Sequence, residues 1–199
     1  MNSKDFSALK QKAFTAYHQD GILDLVYAVV LLGFGTFMLT DNVVFLGLGT
    51  IIAALYIPMK QQLTVPRFGF VRFESEQKSL TKAWILMGIG VLVLLIVFIA
   101  RYFVGDTSSS PEMQALTQQY HMVPLTGLLF GIPALAAFLY FKLPRFLLYG
   151  ILTVVLPALG GWLNIETFIP VLVLGGLVLV ISFIMMFRFR KRYPISKEE

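Results

Sequence analysis

Residues 167–192 read TFIPVLVLGGLVLVISFIMMFRFRKR, an uncharged run from Thr167 to Phe187 that stops against Arg188, Arg190, Lys191 and Arg192. A helix needs about 20 apolar residues to cross a bilayer core, and cations at its end meet the headgroups and fix its direction. Five further stretches have the same character, at about 21–39, 43–59, 83–104, 122–141 and 146–163. Together the six would take up most of the 199 residues, so no length remains for a separate soluble domain. The expected fold class is all-α, an integral membrane bundle of six transmembrane helices with both termini cytoplasmic. An amphipathic interfacial helix over 1–20 precedes the 21–187 bundle, and a basic tail over 188–199 follows it.

Composition supports this class. The chain is 57% hydrophobic and 14% charged, whereas a soluble domain carries roughly a quarter charged residues. Its net charge of +5 would suggest nucleic acid in a soluble protein. Here the cations border apolar runs, so anionic lipid headgroups are the expected partner and nucleic acid is not. With no cysteine, disulfides, thiolate metal sites and a Cys nucleophile are excluded. No cleavable signal is expected, because the first apolar run follows about twenty polar and amphipathic residues without a small-residue cleavage site.

The charges set the orientation. Lys4, Lys10 and Lys12, then Lys60, Arg67, Arg72, Lys78 and Lys82, then Lys142 and Arg145, then Arg188, Arg190, Lys191, Arg192 and Lys197 all fall on one side of a six-span topology. Arg101 alone falls on the other, with Asp41, Asp106, Glu112 and Glu166. The positive-inside rule makes the cation-rich side cytoplasmic, and the localisation expected is the cytoplasmic (inner) membrane. Adding or removing one span would scatter the clusters over both faces.

Local signals refine the plan. Phe6, Leu9, Ala13, Phe14 and Tyr17 share a helical face before Asp20-Gly21 breaks the pattern. Thr40-Asp41-Asn42 reads as the turn between the first two spans, and Ser110-Pro111-Glu112 as a helix start. The spans group as three hairpins with weakly similar starts, Gly21-Ile22-Leu23 and Gly150-Ile151-Leu152. Shared interfacial demands for Pro, Arg and aromatics would produce the same likeness.

Three sets of residues are candidates for function. Asp24 lies about one turn inside the first span, with Asp20 four residues before it and Tyr27 nearby. An ionisable group in a span is a functional candidate by default. The preferred reading is blander: Asp24 reaches headgroup water, or pairs with a basic residue such as Lys82 or Arg145. Pro133 and Pro157 interrupt spans four and five, among Gly127, Gly131, Gly160 and Gly161. Paired interruptions can mark a transport site, but kinked packing is preferred because no acidic or amide residue accompanies them. The third set is Arg67, Arg72, Arg145, Arg188 and Arg190, interleaved with aromatics and suited to anionic lipid. Small-residue spacings such as Gly127-xxx-Gly131 suit a compact bundle or a homodimer interface.

The pattern Leu63-Thr64-x-Pro66-Arg67-x-Gly69-Phe70-Val71 resembles the cytoplasmic loop of a family of uncharacterised prokaryotic polytopic membrane proteins. The resemblance covers residues 14 to 73 and implies an architecture, with no catalytic residues. No HExxH, phosphate loop or Gly-x-Ser-x-Gly elbow is present. No cofactor or metal is expected, and the two histidines, His18 and His121, fall on opposite faces. The function expected is a non-enzymatic assembly, accessory or lipid-interacting role. The alternative is a small-solute transporter built on the kinked helices four and five.

Overall fold

The computed structural model describes residues 14, 16–68 and 122–194, and all secondary structure among them is helical. Helix α1 is Ile22–Thr40, α2 Val44–Leu63 and α3 the short Val65–Phe68. Helix α4, Met122–Thr126, runs through a π-helical turn, Gly127–Gly131, into α5, Ile132–Phe141. Helix α6 is Pro144–Trp162 and α7 Phe168–Arg192. Three of these, α1, α6 and α7, are long and apolar enough to cross a membrane. The third expected span, the Ser110-Pro111-Glu112 start, Arg72, Arg101 and most of the amphipathic N-terminal helix lie outside the described residues.

Two helix boundaries differ from the apolar limits read in the sequence. Helix α2 runs on to Leu63, four residues past Met59, and α7 runs through Arg192, five past Phe187. Charged side chains do not break a helix; they mark where its apolar surroundings can end. The turns follow local chemistry. Asp41 takes a left-handed conformation and its N–H reaches the Phe37 carbonyl at 2.8 Å, closing α1 in the single-bond left-handed cap. The Asn42 side chain then accepts the Val44 N–H at 3.0 Å and starts α2. At the end of α6, left-handed Asn164 bonds Gly161 at 3.1 Å and Ile165 bonds Gly160 at 2.8 Å, the paired bonds of a Schellman motif.

The chain divides into two compact units, 1–74 with 171–199, and 75–170. In the first, α1 and α7 run antiparallel, held close by small residues. A Cβ on Gly35 would sit 2.8 Å from the Leu172 side chain, and one on Gly175 would sit 2.9 Å from that of Leu32. Contacts this close raise dispersion between backbones, the usual cohesion of membrane helices. In the second unit, α5 and α6 cross where Gly131 meets Gly150, and a Cβ on Gly150 would be 3.2 Å from the Gly131 carbonyl oxygen. Pro133 explains the π turn just before it. Lacking an N–H, it cannot bond the carbonyl four residues back, and the Ile132 N–H reaches Gly127 instead. Pro157 is buried within α6.

Polarity is inverted relative to a soluble bundle. Leu177 and Val180 on α7 are more than half exposed, as is Phe187, while Asp20, Asp24, Thr64 and Ser182 are fully buried. Such exposed apolar side chains are compatible with a membrane location, and α1, α6 and α7 have the apolar length for it.

Candidate functional site

The polar side chains buried in the first unit converge on the segment leading into α1. Asp20 is its centre. Its Oδ1 accepts the Ile22 N–H at 3.1 Å, an Asx turn that satisfies one of the N–H groups a helix start leaves open. Oδ2 accepts the Thr64 hydroxyl at 2.7 Å and lies 3.5 Å from the Lys60 ammonium. Lys60 in turn donates to the Tyr56 hydroxyl at 3.2 Å and stands over the Tyr17 ring, 4.3 Å from its centroid. Burial pushes the Lys60 ammonium below the ordinary lysine range, and the Asp20 carboxylate opposes that shift. Lys60 follows the apolar run 43–59 directly, at the end where α2 meets the chain entering α1.

Backbone geometry makes this convergence possible. Gly21 has φ +81°, and a Cβ there would lie 2.7 Å from the Ser182 carbonyl oxygen. Glycine alone takes that conformation at that separation without strain. The Ser182 hydroxyl donates to the Gly21 carbonyl at 3.0 Å, which ties α7 to the same point. One turn along, Asp24 is fully buried. Tyr27, a further turn on, is half-buried. Just before Asp20, His18 is largely buried, with Nδ1 2.9 Å from the Phe14 carbonyl and the ring against Phe14 and Tyr17.

No family model matches the chain, and no curated protein or solved structure matches it either. Its chemistry has to be read from the geometry.

Asp20, Lys60 and Thr64 satisfy one another, which is the arrangement of a clamp. Neither carboxylate oxygen of Asp20 lacks a hydrogen-bond donor. No group of three or more His, Asp or Glu side chains that could hold a metal occurs among the described residues. The sequence singled out Asp20 through its neighbour Asp24 and missed Lys60, Thr64, Tyr56 and Ser182. A signal was present in three of these. Tyr56, Lys60 and Thr64 recur every four residues and share one face at the end of α2.

The same end of the unit collects the cations. Asp20 lies against Lys60 and Thr64, and Gln19 shares a cleft with Arg188 and Arg192. Asp41, at the far end of α1, is exposed at the opposite turn. Of the expected lipid-facing arginines, Arg188 and Arg190 are exposed. Arg67 turns one guanidinium nitrogen back to the Leu63 carbonyl, and its buried Nε has no hydrogen-bond acceptor among the described residues. In the second unit Arg145 lies over the Phe146 ring, 5.6 Å from its centroid. Among the described residues, Pro133 and Pro157 flank no polar cluster; the Thr153 hydroxyl near the Gly131 crossing is spent on its own helix, at the Gly150 carbonyl, 2.7 Å away.

Proposed function

We propose that the chain is a non-enzymatic protein of the cytoplasmic membrane, crossing it six times with both termini inside, with an accessory or lipid-interacting role. The observation that carries this reading is the polarity of the first unit. Its helices present apolar side chains outward, and their cations gather at the end that also holds the chain entering α1. Placing that end in the inner leaflet satisfies the positive-inside rule and sets Arg188, Arg190 and Lys191 against anionic headgroups. The loop resemblance at residues 63 to 71 leads to the same architecture. The buried polar cluster supports a scaffold better than a reaction, because its groups are occupied with one another.

The second reading, small-solute transport, draws on the π turn at Gly127–Gly131 and on Pro133, features that can mark a site within a membrane helix. The close approach of Gly131 and Gly150 leaves no space for a solute between α5 and α6 at that level, which favours the packing role.

A lipid-interacting protein should be stabilised by the lipid it contacts. Purified in neutral detergent, the full chain is expected to unfold at a temperature several degrees higher with added phosphatidylglycerol than with phosphatidylcholine. The difference should shrink as salt is raised, because exposed charges are screened within about 8 Å at physiological ionic strength. Equal melting temperatures in the two lipids would count against the reading.

A further inference from the structure

Where α7 leaves its apolar run, the first unit contains a cleft of about 190 Å³ lined by Gln19, Met185, Arg188, Phe189, Arg192 and Tyr193. At ~30 Å³ per water, this is room for a few small groups, a phosphate and its first substituent, and far less than a whole lipid. The lining is mixed. Met185 and Phe189 supply its apolar part, with Phe189 almost fully buried. Arg188 and Arg192, four residues apart and therefore on one helix face, supply its cationic part. The Arg192 guanidinium lies 5.8 Å from the Tyr193 ring centroid, and the Tyr193 ring packs 5.2 Å from that of Phe189. Gln19 contributes from the chain entering α1. Among the described residues, neither arginine has a carboxylate within ion-pair distance, since Asp20 is committed to Lys60 and Thr64.

We infer that this cleft binds the phosphodiester headgroup of one anionic glycerophospholipid. The inference rests on the membrane placement proposed above. Two guanidinium forks offer the planar donors that suit phosphate oxygens, and the Gln19 amide adds a neutral donor. The apolar part of the lining points to a phosphate that carries acyl chains. A free anion would gain nothing from Met185 and Phe189. Arg190 and Lys191 are equally exposed on α7 but outside the cleft, so general attraction to a charged leaflet is separable from a built site.

The test is a titration of phosphatidylglycerol into the detergent-solubilised full chain, read by native mass spectrometry as the one-lipid adduct. In detergent there is no charged leaflet, and loss of a direct charge-assisted hydrogen bond to the one bound phosphate is expected to cost at least about 5-fold in affinity. The double variant Arg188→Gln/Arg192→Gln is therefore expected to bind about 30-fold more weakly. The charge-matched pair Arg190→Gln/Lys191→Gln is expected to change affinity less than about 3-fold, since these residues touch no bound headgroup. Gln19→Glu removes no cation, places a carboxylate in the cleft, and is expected to weaken the adduct as well. Equal losses in the two double variants would overturn the cleft and leave the lipid-facing reading in place. If neither double variant weakened binding, both ideas would fall. Displacement of the adduct by millimolar inorganic phosphate would overturn the lipid as ligand in favour of a free anion.

Discussion

Asp20→Ala is expected to cause a large loss of stability. The substitution leaves the Lys60 ammonium buried without its counter-charge, and takes the acceptor from the Thr64 hydroxyl and the Ile22 N–H. Removing one partner of a buried ion pair costs about 3–5 kcal/mol, most of it the uncompensated charge. Tyr56 and the Tyr17 ring remain beside Lys60 and offset part of that cost, so about 3 kcal/mol is expected. The measurement is an unfolding titration in denaturing detergent. The double variant Asp20→Ala/Lys60→Met separates charge from packing. Removing both charges should recover more than about 1 kcal/mol relative to the sum of the single losses, the coupling expected of groups in direct contact. Strict additivity would mean that the pair contributes no coupling of its own.

Gly21→Ala is expected to cost about as much and acts through the backbone. At φ +81° an alanine is strained by about 1–2 kcal/mol. Its methyl would also meet the Ser182 carbonyl oxygen at 2.7 Å, with Met185 and Met186 side-chain carbons at 3.1 and 3.2 Å. A backbone oxygen cannot rotate away as a side chain can, so α1 and α7 must separate, which adds about 1–3 kcal/mol of overpacking. The expected sum is about 3 kcal/mol, read in the same titration. Gly176→Ala is the matched control. It lies on α7, with nothing within 4 Å of an added Cβ, and should change stability little. A Gly21→Ala protein as stable as the parent would mean that this close approach is absent.

These two positions show what the sequence could and could not reveal. Apolar length located α1, α6 and α7 closely, because a helix of fixed rise must match a bilayer of fixed thickness. Thr40-Asp41-Asn42 was legible as a turn because short polar side chains cap helices locally. Pro133 was legible as an interruption, although the π turn that absorbs it lies in the preceding residues. Asp20 and Asp24 stood out as charges beside an apolar run, but the partner of Asp20 did not. Lys60 lies forty residues away among the inner-face cations, and the positive-inside rule that accounts for all of them gives no sign of its burial. Ser182, uncharged in an apolar run, gave no local sign of its bond to Gly21. Contacts between distant segments depend on how helices are placed against one another, and periodicity on a single helix does not encode that placement.

The central claim is that the end of the first unit bearing Lys60, Arg188 and Arg192 faces the cytoplasm. Because the chain has no cysteine, a single introduced thiol reports its own side of the membrane without background. Asn42 and Gln62 are both exposed, at opposite ends of α2. In intact cells, a membrane-impermeant maleimide is expected to label Asn42→Cys and to leave Gln62→Cys unmodified until the membrane is opened. Labelling of Gln62→Cys from outside, with Asn42→Cys protected, would contradict the account.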